Sequence, residues 1–237
     1  MISNYGTYTV QFGDYTNHDY GLFATRPDIP STEWAYKETT VPGKDGALVT
    51  YDGTVVDIPI KITFGFTCDQ CEWGASFRAA KSWLLSRKSG TLTLGDDASV
   101  FYRVKPVSVD TAERAVWEFG QFTATFICEG YQYIGGGRDF LPVADAQFNP
   151  YLPCKPVYKI TGVGTAILTV NGNKLEAVVQ TDCVIDTDKL IAYTTSGQRK
   201  NKDITGDFED FVMQSGKNEV SISDGFTLEI KPNWRCF

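Results

Sequence analysis

The sequence is poor in the residues on which most catalytic and metal sites depend. Its 237 residues contain a single histidine, His18. Metal sites that need two histidines are therefore excluded, and a Ser-His-Asp triad would have to use His18, which lies in a polar stretch without an evident partner. There is no GxSxG motif and no phosphate-binding P-loop. We expect a protein that is not an enzyme, with no catalytic residue and no cofactor.

Long apolar runs and clusters of basic residues are missing as well. No stretch approaches the roughly 20 apolar residues of a membrane-spanning helix, and the first residues lack the charged and apolar regions of a signal peptide. We therefore expect no membrane partner. The net charge is −7, whereas a protein that grips nucleic acid by its phosphates needs basic clusters. We expect no specific binding of DNA.

The six cysteines are too scattered for a small disulfide-stabilised scaffold. They lie at positions 68, 71, 128, 154, 183 and 236. Cys68 and Cys71 form a CxxC motif, but a zinc site would need a second pair of Cys or His ligands at a suitable spacing. We interpret the motif as part of a loop between a strand and a helix. The sequence predicts no metal and no disulfide, and reduced thiols indicate folding in a cytoplasm.

What the sequence does contain is alternation of apolar and polar residues, which is typical of β-strands. The even positions from Val56 to Phe66 are all apolar and predict one long strand. Pro59 cannot donate a ladder hydrogen bond, so this strand lies at a sheet edge or carries a bulge. A second long strand is predicted over 116–128, with a β-bulge or bend at Gly120, where the alternation changes phase. Shorter strands are predicted at 7–12, 34–41, 91–94 and 101–109.

One segment has helical spacing instead. Apolar side chains recur on one face at Trp73, Phe77, Ala80 and Leu84, and Gly90 is a suitable end for the helix. The fold class is therefore mainly β with one substantial helix.

Glycine and proline are concentrated between Gly135 and Pro156, which is typical of a linker. We predict a first domain at 1–140, a linker at 141–153 and a second domain at 154–237. In the second domain, Asn171-Gly172 predicts a hairpin turn between two strands. Further short strands around 184–193 and 220–230 predict a β-sandwich.

Several motifs, taken in their order and spacing, resemble the distal tail protein family of long-tailed, non-contractile bacteriophages. The resemblance covers nearly the whole chain, and no single motif is specific. The matching positions are Gly43, Asp45 and Gly46 in a GxDG-like loop, Trp83 in the helix, Gly120 and Cys128 in an FGxFxxxFxC-like strand, Lys155 and Pro156 in a KP motif, Asp207 in a GDF motif, and Trp234 and Arg235 in a PxWR-like end.

The resemblance implies a split-barrel-like belt domain that closes into a homo-hexameric ring, followed by a galectin-like β-sandwich. The ring would join the tail tube protein to the tail-tip (tail-associated) protein and could hold receptor-binding proteins at its rim. DNA would pass through its channel, whose wall we expect to be neutral to acidic. The protein would be a structural part of the virion, at the phage tail tip, after folding and assembly in the cytoplasm of the host bacterium.

Two other functions are compatible with the same sequence. One is a carbohydrate-binding module for attachment to the host cell wall, which an exposed aromatic pair on the second domain would favour. The other is a different tail component, such as a tube subunit or part of a tip protein.

Overall fold

A computed structural model describes residues 8–69, 72–87, 89–116 and 118–237. Strands make up 52% of it, beside one main helix, which confirms the predicted mainly-β class. The chain divides into two compact units, Met1–Gln132 together with Phe237, and Tyr133–Cys236. Within the described ranges, no helix is long and apolar enough to cross a membrane.

The first unit contains ten strands and the main helix. Seven of the strands form one sheet in the order β2-β1-β7-β8-β10-β6-β3, β9 pairs with β10, and β4 pairs with β5 as a separate hairpin. The elements are β1 (Val10–Phe12), β2 (Tyr15–Thr16), β3 (Phe23–Ala24), β4 (Trp34–Thr40), β5 (Ala47–Val55), β6 (Ile58–Thr67), α1 (Trp73–Leu85), β7 (Gly90–Leu94), β8 (Asp97–Val109), β9 (Glu113–Val116) and β10 (Phe119–Cys128).

The two long predicted strands pair with each other at the centre of this unit. β6 and β10 are antiparallel, from Phe119 opposite Thr67 to Cys128 opposite Ile58. In both strands the even positions are buried, as the alternation predicted. On its other side, among the described residues, β6 pairs with β3 at Phe64 and Gly65, and the Thr63 carbonyl accepts from the Thr25 N–H at 2.9 Å. Pro59 therefore lies at a sheet edge, as expected from its missing N–H.

Two details of the predicted strands and helix are wrong. Val56 was expected on the buried face, but it precedes β6 and is 47% exposed. Gly90 was expected to end the helix, but α1 ends at Leu85 and Gly90 begins β7. A Cβ at Gly90 would lie 3.0 Å from the Phe12 ring, so the glycine permits close packing of that ring.

Helix α1 covers the sheet with the face that its spacing predicted. Ala80, Trp83 and Leu84 are buried, and Trp73 and Phe77 pack against the same core. The Trp83 indole joins several elements: its Nε1 donates to the Phe12 carbonyl at 3.3 Å, and its ring stacks on Tyr20 at 5.2 Å. The hydrogen bond satisfies the one polar atom of an otherwise apolar side chain.

The second unit is built mainly from two sheets. One has the order β12-β22-β14-β17-β18 and the other β19-β16-β15-β21, and β13 pairs with β20. Its elements, together with β11 at the boundary, are β11 (Gln132–Ile134), β12 (Leu141–Pro142), α2 (Val143–Ala146), β13 (Phe148–Asn149), β14 (Val157–Thr161), β15 (Gly164–Val170), β16 (Asn173–Val179), β17 (Asp182–Asp186), β18 (Ile191–Tyr193), β19 (Ile204–Thr205), β20 (Gly216–Lys217), β21 (Val220–Ile222), β22 (Thr227–Lys231) and β23 (Arg235–Cys236).

The two sheets enclose one apolar core, so the predicted sandwich is confirmed. Tyr158 and Ile160 of β14 share this core with Leu168 of β15 and Leu175 of β16. The hairpin predicted at Asn171-Gly172 connects β15 to β16. The strands around Asp224-Gly225 do not form a hairpin, because β21 pairs with β15 in one sheet and β22 pairs with β14 in the other.

The segment predicted as a linker is folded. Residues 141–153 contain β12, α2 and β13 and belong to the second unit, which begins at Tyr133 rather than at 154. Pro142 lies in β12 at the edge of its sheet, a position where proline is tolerated. Ala146 and Asn149 are both fully buried. A concentration of proline and glycine therefore marks sharp changes of direction here rather than an unstructured connection.

Gly120 provides a test of packing in the first unit. A bulge or bend was predicted here, and the pairing of β10 with β9 shifts register between Phe119 and Gln121, whereas the pairing with β6 is regular through Gly120. A Cβ at Gly120 would lie 2.3 Å from the Phe66 ring and 2.8 Å from Trp73 Nε1. We expect Gly120→Ala to lower the free energy of unfolding by about 1–3 kcal/mol, as overpacked cores do. Urea denaturation measures this change.

Gly136→Ala is the matched control, because nothing lies within 4 Å of the added Cβ. Equal stability of the two variants would contradict the packing argument.

Candidate assembly interface

The most exposed element of the first unit is the hairpin of β4 and β5. Every residue from Tyr36 to Thr54 is exposed. The strands pair from Thr40 opposite Ala47 to Tyr36 opposite Tyr51, with an irregularity nearer the base, between Tyr36 and Trp34. An isolated two-stranded hairpin is only marginally stable in water, and it normally needs a third strand or a packing partner.

One face of this hairpin carries two tyrosines beside Glu38, and the opposite face carries Leu48. One face carries Tyr36, Val49 and Tyr51, and the rings of the two tyrosines meet edge to face at 6.1 Å. The opposite face includes Lys37 and Thr39, which pair with Thr50 and Leu48. The exposed fractions of Tyr36, Val49 and Tyr51 are 56%, 42% and 64%. Contiguous exposed apolar side chains of this kind are typical of interaction surfaces.

The GxDG-like motif forms the tip of the hairpin. The Lys44 N–H donates to the Val41 carbonyl at 3.2 Å. Pro42 and Gly43 are the two central residues of this turn, and Gly43 has φ of 81°. Proline followed by a residue of positive φ is the pattern of a type II turn. Asp45 is exposed and Gly46 also has a positive φ, 79°, so both glycines are needed for backbone conformation.

Sequence reasoning placed a strand at 34–41 but missed its pairing with 47–55. The GxDG motif was predicted as a loop, and no strand was predicted over 47–55. The turn residues Pro42, Gly43 and Gly46 between two segments of strand-forming residues were the available signal of a hairpin.

Three other motif positions lie in the core of the first unit. Trp83 and Gly120 have the packing roles described above. Cys128 ends β10, is fully buried, and its Sγ donates to the Phe126 carbonyl at 3.6 Å. These residues hold the domain together and do not form a surface with the hairpin tip.

The KP and PxWR motifs meet in the second unit. The Asn233 side-chain amide donates to the Lys155 carbonyl at 2.9 Å, and Arg235 Nε donates to the Pro153 carbonyl at 2.7 Å. Trp234 accepts at its carbonyl from the Ile134 N–H at 2.9 Å. Together these contacts tie the last strand to both early segments of the unit, and we call them the terminal clasp.

Other motif side chains have local roles. Lys155 Nζ lies 3.5 Å from an Asp188 oxygen, and the Pro156 carbonyl accepts from the Thr187 hydroxyl at 2.7 Å. Asp207 accepts from the Glu209 N–H at 3.1 Å and caps a short helical turn. None of these arrangements resembles a catalytic constellation of nucleophile and base.

Burial suppresses the ionisation of three cysteines. It raises the pKa of the Cys128 and Cys154 thiols to about 12 and that of Cys183 to about 11. Cys68 and Cys236 are partly exposed. Cys71 lies outside the described residues, so the interpretation of the CxxC motif stays a prediction. In the described part of the chain, no group of three or more His, Cys, Asp or Glu residues could hold a metal ion.

Exposed aromatic side chains would favour a sugar-binding surface on the second unit. Its exposed aromatic residues, within the described ranges, are Phe140 and Phe148. Phe140 lies under the Lys159 ammonium, 5.6 Å from Nζ to the ring centroid. Lys159 Nζ also pairs with Glu229 at 2.7 Å. The Phe140 ring is therefore part of a cation–π and ion-pair arrangement.

Comparison with known proteins shows a structural likeness. No protein-family profile and no curated protein sequence match the chain. The structure is similar to the crystal structure of the SPP1 Dit (gp 19.1) protein, with a TM-score of 0.66 over 98% of this chain and 100% of that chain. The chain has the fold of SPP1 Dit. Sequence identity is 15%, so the likeness concerns the fold, and it agrees with the fold that the motif resemblance implied.

SPP1 Dit is described as a paradigm of the hub adsorption apparatus in phages that infect Gram-positive bacteria. The likeness extends over both units of this chain, since it covers nearly its whole length. The Dit-like fold therefore includes the hairpin-bearing unit as well as the sandwich.

The terminal clasp gives a prediction for Asn233, which has φ of 53° and is 6% exposed. Asn233→Gly removes the hydrogen bond to Lys155 but tolerates the backbone conformation. Asn233→Ala adds the left-handed strain of a residue with a Cβ. We expect the free energy of unfolding of the alanine variant to be about 1 kcal/mol lower than that of the glycine variant. Equilibrium denaturation in urea measures the two free energies of unfolding. Equal stability, or a more stable alanine variant, would show that the backbone conformation is unimportant.

A second prediction concerns thiol reactivity, because the thiolate is the reactive form. We expect iodoacetamide at pH 8 to label Cys68 and Cys236 well before Cys128, Cys154 and Cys183, with mass mapping of peptides as the readout. Thiols in the unfolded chain have a pKa near 9.0, whereas burial raises the pKa of these three thiols to about 11–12. The stability that the buried thiols contribute is therefore complete below pH 9 and is lost as the pH rises toward 11–12. Early labelling of Cys154 in the folded protein would contradict this assignment.

Proposed function

We propose that this protein is a structural distal tail hub of a bacteriophage virion. It assembles as a homo-hexameric ring that joins the tail tube protein to the tail-tip protein, with receptor-binding proteins at its rim. The observation that carries the proposal is the SPP1 Dit-like fold over 98% of the chain. Fold alone does not determine function, so the proposal also rests on features of this chain that favour self-association.

The β4–β5 hairpin is the first of these features. Its residues from Tyr36 to Thr54 are exposed, and one face carries two tyrosines and a valine. A hairpin of this kind gains stability when a neighbouring molecule covers its apolar face. This supports an assembly in which each copy contributes one hairpin to its neighbour.

The open edge of β6 is the second feature. In the described part of the chain, this strand is paired with β10 on one side from Ile58 to Ile62, and on the other side β3 and Thr25 reach only Thr63 to Gly65. Open edges are templates for pairing between chains. A head-to-tail contact between identical chains closes into a ring when its rotation permits, which is the type of assembly that the hub requires.

Passage of DNA through the ring is part of the proposal. The net charge of −7 supports a channel that does not retain the genome. Arg78 and Lys81 lie on α1, which we place away from the channel, and Lys88 lies outside the described residues. We propose that the protein is folded and assembled in the host cytoplasm and then resides at the tail tip of the virion.

A pair of substitutions tests self-association through the hairpin. Tyr36→Asp places a charge on its apolar face, and Thr39→Asp places the same charge on the opposite face. We expect Tyr36→Asp to raise the concentration needed for assembly by about tenfold or more, since buried aromatic residues contribute most to protein interfaces. Thr39→Asp should assemble like the unchanged protein. Sedimentation velocity over a range of concentrations measures the effect, and circular dichroism checks the fold.

The role in the virion is tested by electron microscopy of the assembled protein and by antibody labelling of phage particles. Six-fold rings and label at the tail tip are expected. A protein that stays monomeric at all concentrations and is absent from particles would falsify the proposed function.

A further inference from the structure

The turn between β15 and β16 contains a dipeptide that is chemically reactive in flexible chains. Asn171-Gly172 is the one Asn-Gly pair in the sequence. In such a pair the backbone nitrogen of the glycine can attack the asparagine side chain, because the glycine has no side chain that obstructs the approach. Both residues are exposed to solvent. The second unit therefore carries a candidate site of spontaneous deamidation on its surface.

Deamidation at this pair proceeds through a cyclic imide and consumes water. The Gly172 nitrogen forms a bond to the Asn171 side-chain carbon Cγ, the Cγ–Nδ2 bond breaks, and the backbone proton leaves with the amide group as ammonia. Water then adds to either carbonyl of the imide, and the ring opens to aspartate or isoaspartate. The ring closes only when the side chain rotates onto the backbone and Nδ2 is free to leave.

The folded turn fixes the backbone of this pair. Asn171 has φ of 49° and Gly172 has φ of 89°, and positive values at both central residues are the pattern of a type I′ hairpin turn. Val170 pairs with Asn173 across the turn. The Asn171 N–H donates to the Glu219 carbonyl at 2.8 Å, which ties the turn to the segment before β21. The backbone of Asn171 is therefore restrained as long as β15, β16 and β21 are paired.

The Asn171 side chain is held at both of its polar atoms. Its Nδ2 donates to Asn218 Oδ1 at 2.9 Å, and its Oδ1 accepts from the Glu219 N–H at 2.9 Å. Asn218 is fully buried, and its Nδ2 donates to the carbonyls of Gln214 and Gly216 at 2.9 and 3.1 Å. Because those bonds fix the orientation of the Asn218 amide, its oxygen faces Asn171. The leaving group of deamidation is thus the atom that the buried amide network binds.

We propose that Asn171 is a deamidation site that folding of the β15–β16 turn closes, and that reaction before folding damages the same turn. In the unfolded chain nothing restrains the pair, so it reacts like a flexible Asn-Gly peptide. After deamidation to aspartate, a carboxylate oxygen replaces Nδ2, and two acceptors meet where the folded turn has a donor and an acceptor. Isoaspartate also lengthens the backbone by one carbon atom within a two-residue turn. The site is a property of the single chain and does not depend on the proposed assembly.

The rates of deamidation in the folded and the unfolded chain test the protection. The full chain is incubated at pH 8 with and without denaturing guanidinium chloride, and peptide mapping by mass spectrometry separates asparagine from aspartate and isoaspartate. We expect Asn171 to react at least about tenfold more slowly in the folded protein, because the reaction requires local opening of the turn. A synthetic peptide of residues 168–175, measured in both solvents, corrects for any effect of the denaturant on the chemistry.

Asn171→Asp introduces the aspartate product directly and tests the damage. Aspartate tolerates the positive φ at this position, so the change acts on the side-chain contacts. We expect the folding equilibrium constant to fall by about tenfold or more, because a donor is replaced by a charge that faces a buried acceptor.

Asn201→Asp is the matched control, since it makes the same chemical change at a residue of the same unit. Asn201 Oδ1 accepts from the Ala192 N–H at 2.9 Å, a role that a carboxylate retains. Its folding equilibrium constant should stay within about threefold of that of the unchanged protein. Urea denaturation measures both constants. An Asn171→Asp variant as stable as this control would overturn the inferred damage, and equal corrected rates in the folded and unfolded chain would overturn the protection, whether or not the protein forms rings.

Discussion

The paired register of β6 and β10 is the constraint on which the first unit depends. Because side chains alternate along a strand, this register places Ile60, Ile62 and Phe64 on the same face as Phe122 and Phe126. A shift by one residue would turn all of them to the opposite face. Helix α1, the Trp83 contacts and the close approach at Gly120 all use the apolar face that this register creates.

The second unit depends more on buried amides. Asn218 is fully buried, accepts from the Gln214 N–H at 2.8 Å and donates to the Gln214 carbonyl at 2.9 Å. It also accepts from the Asn171 side chain at 2.9 Å, in the turn between β15 and β16. Asn149 donates to the Leu152 carbonyl at 2.8 Å. Such amides satisfy turn backbone that would otherwise be buried without partners, and this explains how a segment rich in breakers can be folded.

The elements that sequence reasoning found are those with one buried and one wetter face. β6, β10 and α1 each bury side chains at regular intervals, so their periodicity could be recognised in the sequence. The β4–β5 pairing was missed because the hairpin is exposed on both faces and no core imposes alternation on it. The segment 141–153 was predicted as a linker for a different reason, its composition. Pro142 and Asn149 have turn-forming composition, yet tertiary hydrogen bonds and an edge position accommodate them.

The sequence by itself determined the mainly-β class, the main helix and the motif positions, because those follow from local periodicity and turn chemistry. Only the tertiary structure decided which strands are neighbours, since pairing joins segments far apart in the chain. It brought Asn233 and Arg235 to Lys155 and Pro153, and it left the hairpin without a covering layer among the described residues. It also brought together residues from five separate stretches of the chain around an aromatic cavity that includes Trp34, Tyr102 and Phe237. No local pattern encodes such a meeting of distant segments, because packing alone brings them together.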